Sequence, residues 1–250
     1  MFTAKISFPI VTEAERTAEA AYDVLSCWYK NGQLVGDSWP LSIVGANVEA
    51  YVWLPDTDAL QAQNNNVYAN RALDELGPSR PTVLVIGKDP NLPASCSCGA
   101  RSALVLFTTY LSETSPIRCL DCFSPVALYT LPHIEDHEHL QVLQWAADYR
   151  ACDTLQMHCT TGERFGEEQL YGYNSSLSRH GRALGSKLEE ATRLPVYYFL
   201  HKTRGRSRDA ELRRLCPSCK ANWKLESRLH LFDFQCPNCR LLSAIAVGVA

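Results

Sequence analysis

Eight cysteines in four close pairs carry the most legible chemistry of this 250-residue chain. Cys216-Pro-Ser-Cys219 is followed, after sixteen intervening residues, by Cys236-Pro-Asn-Cys239. Two C-x-x-C knuckles at that separation can present four thiolates to one ion, with a short hairpin carrying the second knuckle back to the first, which is the pattern of a zinc ribbon. Four thiolates close a tetrahedral site and leave no position for a substrate, so the spacing points to a metal brace rather than to zinc catalysis. Cys96-Ser-Cys98 and Cys119-Leu-Asp-Cys122, twenty residues apart, resemble a second ribbon. Their first knuckle is C-x-C and must turn more tightly to aim both sulfurs at one metal. The expectation is two zinc ions held at two local sites, since a site mixing distant pairs would order more chain. Reduced, metal-free cysteines are the alternative for the second set, and a four-thiolate site also accepts iron.

Other constellations carry weaker chemistry. His133, His137 and His139 alternate with Glu135, Asp136 and Glu138. A helical zinc pair needs histidines four apart, and Pro132 stands directly before the only such pair, so the segment reads as an acidic helix N-terminus that complements the macrodipole. Exposed and acidic, Glu135, Asp136 and Glu138 are candidates for contact with a basic protein. The stretch 160–166 lacks the Gly-Lys-Ser/Thr ending of a phosphate loop and reads as a connection. Ser175 and Ser176 have no Gly-x-Ser-x-Gly elbow and read as helix caps. Cys27, Cys152 and Cys159 sit in apolar helical patterns as small core residues. No nucleophile, base and oxyanion donor assemble, and a non-enzymatic protein is expected.

The elements that must position these groups follow from periodicity. Residues 2–8 alternate like a strand, and 12–28 place apolar residues at helical spacing, with Thr12 a cap three residues before Glu15. Residues 48–54 read as a strand, 67–76 as a helix ending at Gly77-Pro78, and 82–86 as a buried strand. Residues 135–157 and 176–192 read as helices, and 196–200 as a strand. The fold class is α+β, with an N-terminal β-α layer at 1–90 in which two helices pack on the strands. A cysteine-paired ribbon-like unit at 91–132 follows, then a helical segment and strand at 133–202, and a C-terminal zinc ribbon at 203–250. The apolar ending at 241–249 resembles a strand that needs a neighbour. The ribbon aromatics, Trp223, Phe232 and Phe234 among them, can therefore dock the hairpin or stack on bases.

A 46% hydrophobic content excludes disorder as the default. No apolar run approaches the length of a membrane helix, and no secretory leader is recognisable. Paired cysteines suited to metal point to a reducing cytoplasm. Residues 1–200 hold 14 Lys/Arg against 23 Asp/Glu, a balance of −9, and residues 201–250 hold 10 against 4, a balance of +6. An acidic body suits a basic protein partner, and the basic tail, through Arg204, Arg206, Arg208 and Trp223, suits a local nucleic-acid contact. With the segment at 23–33, the knuckle at 216 and Phe-Gln-Cys-Pro-Asn-Cys-Arg at 234–240, the chain resembles an uncharacterised bacterial family described as zinc-ribbon-containing and nucleic-acid-binding. Some members of that family resemble immunity proteins of polymorphic, Rhs-type toxins. The resemblance implies a protein that occludes a cognate antibacterial toxin, with nucleic-acid binding as the alternative.

Overall fold

A computed structural model of the chain describes residues 1–11 and 13–249. They form two compact units, the first made of residues 1–97, 113–115 and 124–140, the second of 98–112, 116–123 and 141–250.

The first unit is a four-stranded antiparallel sheet with two helices. Strand β1 (Phe2–Pro9) buries Ala4, Ile6 and Phe8 on one face, and helix α1 (Ala14–Lys30) buries Thr17, Ala21, Val24, Leu25 and Trp28, the 3.6-residue stripe that lays it on that face. Glu13 precedes α1 without a side-chain cap, and the Thr12 cap expected from the sequence lies outside the described residues. A short strand, β2 (Leu41–Val44), pairs with β3 (Asn47–Leu54) across a two-residue turn in which Gly45 takes φ +60°. Helix α2 (Val67–Glu75) begins at Asn66, whose Oδ1 accepts from the Ala69 N–H at 2.8 Å, and β4 (Thr82–Lys88) closes the unit. The order β2-β3-β1-β4, all antiparallel, is the ferredoxin-like β-α-β-β-α-β arrangement. The sequence reading gave the layer and both helices but missed β2, too short to show alternation.

A buried amide network ends α1. Asn31 donates to Gln33 Oε1 at 2.7 Å, and Gln33 donates to the Ala59 carbonyl and to Asn65 Oδ1. Gly32, at φ +78°, must be glycine, because a Cβ there would lie 2.3 Å from the Leu128 Cβ.

The second unit is built on a six-stranded mixed sheet, ordered β6-β5-β7-β10-β9-β8. Its strands are β5 (Leu104–Leu106), β6 (Ile117–Cys119), β7 (Val196–Leu200), β8 (Lys224–Leu229), β9 (Phe232–Cys236) and β10 (Leu241–Ser243). Strands β5, β7 and β10 run parallel, and β7 is buried at every position, which is why it reads as an unbroken apolar run. Strands from 91–132, 133–202 and 203–250 thus share one sheet. Helices α3 (Leu140–His158), α4 (Glu163–Tyr171), α5 (Ser176–Thr192) and α6 (Arg208–Leu212) complete the unit. Ser175 caps α5 through the Ser178 N–H at 3.1 Å, in keeping with its reading as a cap. Gly181 lets α5 meet Tyr198 and Trp145 closely.

Three elements correct the sequence reading: the strand expected to be buried at 82–86 is β4, an edge strand whose Val83, Leu84 and Ile86 are exposed because no further strand covers it among the described residues. The stretch at 160–166, expected to be only a connection, leads into α4 at Glu163. The helix expected from 135 starts at Leu140, and Glu135 and Glu138 instead form an antiparallel bridge around Asp136 (φ +48°) and His137 (φ +57°). Tertiary hydrogen bonds hold this left-handed turn: the His139 N–H donates to the Lys30 carbonyl at 2.8 Å, and Asn66 Nδ2 donates to the His137 carbonyl at 2.7 Å. The acidic residues therefore do not form the first turn of a helix.

Candidate metal centres

In the C-terminal ribbon the knuckle Cys216–Cys219 lies before β8, and Cys236 ends β9, with Cys239 in the turn to β10. The four Sγ atoms lie within 4.8 Å of one another, and Cys219 and Cys236 are 3.6 Å apart. A tetrahedron of Zn–S bonds has sulfur–sulfur edges of about 3.8 Å, so this donor set fits a thiolate-bound zinc. The chain folds so locally because the Lys220 N–H returns to the Cys216 carbonyl at 3.0 Å, with Lys220 left-handed at φ +60°. Arg240 repeats that left-handed position after Cys239. The Ala221 N–H pulls the Cys219 thiol down to about 7, while burial pushes Cys236 up to about 12. Metal capture therefore displaces protons from these thiols.

The second set, Cys96, Cys98, Cys119 and Cys122, also brings its sulfurs within 4.8 Å. Its C-x-x-C half repeats the knuckle: the Phe123 N–H donates to the Cys119 carbonyl at 2.9 Å and Phe123 is left-handed at φ +59°. The Cys96 N–H donates to the Pro125 carbonyl at 2.8 Å, fixing the entry to the tight C-x-C half. Asp121, inside the knuckle, accepts from the Ser102 N–H at 2.8 Å and from its hydroxyl, which holds its carboxyl below the usual range. Both sets are all-sulfur and closed, so either would hold an ion as a brace.

Side chains that the sequence did not single out tie the ribbon down. The Arg214 guanidinium lies 4.4 Å from the Phe234 ring centre and 5.2 Å from that of Trp223, ion-pairs with Glu211 at 3.3 Å and donates to Ser243 Oγ at 3.2 Å. His230, at the tip of the β8–β9 hairpin, meets the Leu120 carbonyl through Nε2 at 2.7 Å and stacks on Phe123 at 5.1 Å. Only the bare presence of an Arg and a His near the knuckles could have flagged them.

The expected nucleic-acid contacts lie in different surroundings. Trp223 is 3% exposed, its indole donates to the Arg214 carbonyl at 2.9 Å and its ring packs on Phe234, so it docks the ribbon and is closed to base stacking. Arg204 is drawn to Glu163 and to Glu167 at 3.3 Å. Arg206 and Arg208 are exposed. Of the acidic candidates, Glu135 and Asp136 are exposed and Glu138 is half-buried, its carboxyl raised by burial. Among the described residues no helix is long and apolar enough to cross a membrane.

No solved structure matches the chain. A protein of Haemophilus influenzae described as uncharacterized is 35% identical over 231 residues, covering 89% of this chain and 88% of its own. A second from that organism, described in the same way, is 33% identical over 193 residues, covering 75% of this chain and 93% of its own. Models of three domains of unknown function match successive stretches: DUF8589 over residues 1–83, DUF2310 over 98–201 and DUF8594 over 205–248. At this identity and coverage the chain belongs to the same bacterial family as these two Haemophilus influenzae proteins, its length divided among the domains DUF8589, DUF2310 and DUF8594.

Proposed function

We propose that the protein is a non-enzymatic, zinc-braced binding protein that captures a basic protein partner, acting as an immunity protein that occludes an antibacterial toxin. The observation that carries this reading is the placement of charge. The first unit holds 6 Lys/Arg against 15 Asp/Glu, a balance of −9, and the second holds 18 against 12, a balance of +6. The acidity of the chain therefore belongs to the ferredoxin-like unit. That unit presents Asp136 on a turn closed by the Glu138 N–H to the Glu135 carbonyl at 3.1 Å and anchored through His137 and His139, and a cleft of about 330 Å³ lined by Trp39, Tyr51 and Trp53.

A four-stranded sheet with exposed aromatics can also stack RNA bases, but a unit at −9 repels phosphates, so the same surface suits a cationic protein better. Fixed carboxylates speed the capture of such a partner, and a preformed aromatic cleft slows its release. A second reading, nucleic-acid binding, rests on the second unit, where Arg206 and Arg208 are exposed on a unit of net positive charge.

The test is native purification of the full chain from its own cells, neighbouring genes intact, at ~100 mM salt, where phosphate-driven contacts are already weakened. A stoichiometric basic protein whose toxicity the chain suppresses on co-expression is the expected result. Its affinity should fall about tenfold, or 1.4 kcal/mol, in Asp136→Asn/Glu138→Gln. RNA or DNA retained in place of protein, or an unchanged affinity in that variant, refutes this reading.

A further inference from the structure

We infer that the protein is a homodimer whose two ferredoxin-like sheets join through strand β4 into one eight-stranded antiparallel sheet. Among the described residues strand β4 is the outermost strand of its sheet, hydrogen-bonded to β1 on one side. Along it Val83, Leu84 and Ile86 are 42%, 60% and 57% exposed. Proteins blunt a sheet edge with charged residues, prolines or extreme shortness. Here Thr-Val-Leu-Val-Ile-Gly-Lys runs seven residues and carries its one charge at the last position, and its register shift falls at Ile86, between the Val85–Ala4 and Gly87–Thr3 pairs. The opposite edge, β2, is four residues long.

An unpaired row of backbone amides and carbonyls calls for a strand, and the sequence of β4 fits its own copy. A two-fold axis through Val85 sets Leu84 of each chain against Ile86 of the other, and Lys88 against Thr82, so no like charges stand directly opposite. It also brings Arg80 of each copy beside Asp89 of the other, one opposite-charge contact at each end. Among the described residues Arg80 is bound by an exposed ion pair to Asp74 at 2.6 Å, a contact worth little enough to be exchanged. Repulsion between two units of −9 is screened beyond about 8 Å at physiological salt, and the charges at the seam itself are mixed.

Sedimentation equilibrium on the full chain tests this. The expected particle has twice the 28.0 kDa mass of one chain. Leu84→Lys/Ile86→Lys, at exposed positions, should sediment as a monomer with an unchanged circular dichroism spectrum. Arg80→Glu sets two carboxylates together at each end and should weaken the dimer about tenfold, while Arg80→Glu/Asp89→Arg should restore it. A wild-type chain that stays monomeric across about 1–100 µM overturns the proposal. So does a dimer that survives Leu84→Lys/Ile86→Lys, or one that Arg80→Glu leaves untouched.

Discussion

Cys219→Ala, which takes one thiolate from the four-sulfur set that could hold zinc in the ribbon, should lower the melting temperature without unfolding the hairpin. The reason lies in what the hairpin buries. Trp223, Phe232, Phe234, Leu241 and Leu242 are all inside the second unit. Each contributes about 1.5–3 kcal/mol by leaving water, roughly 8–15 kcal/mol together before chain entropy is counted. Strand β10 is moreover hydrogen-bonded between β7 and β9. An isolated zinc finger has no such reserve and unfolds without its ion. Free zinc at 100–1,000 times its dissociation constant stabilises the folded state by about 2.7–4.1 kcal/mol. At about 2–4 °C per kcal/mol for a unit of this size, the loss amounts to about 5–15 °C. The assay pairs thermal melts with zinc release: the wild-type chain should yield two ions and the variant one, with Trp223 fluorescence still that of a buried indole at 25 °C. Loss of that fluorescence signature at 25 °C would show that the metal, and not the sheet, holds the hairpin. A melting temperature unchanged to within about 1 °C would show that no ion contributes there.

Two glycines on α5 should respond oppositely to alanine. At Gly181 a Cβ would stand 2.2 Å from the Tyr198 ring and 2.6 Å from Trp145 Nε1, so Gly181→Ala should destabilise by about 1–3 kcal/mol in urea titrations. At Gly185 the nearest atom is a Val196 methyl at 3.7 Å, so Gly185→Ala should be neutral or stabilise by up to about 1 kcal/mol, and equal effects at the two sites would contradict the packing. His139 is fully buried, and burial lowers its imidazole from 6.5 to about 3. Between those values the unfolded chain binds a proton that the folded chain does not, so its contribution is present above pH 6.5 and is lost as pH falls toward 3, at up to about 1.4 kcal/mol per pH unit. His139→Phe should lose stability less steeply over that window, and parallel curves for the two proteins would exclude His139 as the source.

The knuckles were legible in the sequence because a C-x-x-C turn is set by contacts within five residues, as the returns from Lys220 to Cys216 and from Phe123 to Cys119 illustrate. The long elements were legible for a related reason: α1, α5, β1 and β7 each bury a periodic face or a whole strand, and periodicity is written locally. The turn at Glu135–Glu138 was not legible, since His139 and Asn66 impose it through partners some 70 to 110 residues away. Trp223 was ambiguous for the same reason, as an aromatic between cations looks alike whether it faces a base or Phe234.

By itself, then, the amino-acid sequence determined the two cysteine sets, the α+β class and the overall charge asymmetry, all properties of composition and short spacing. Tertiary structure alone decided that β10 runs between β7 and β9, that the acidity lies in the ferredoxin-like unit, and that β4 is left as an edge. Strand order and burial depend on which distant segments exclude water from one another, and no local pattern encodes that choice.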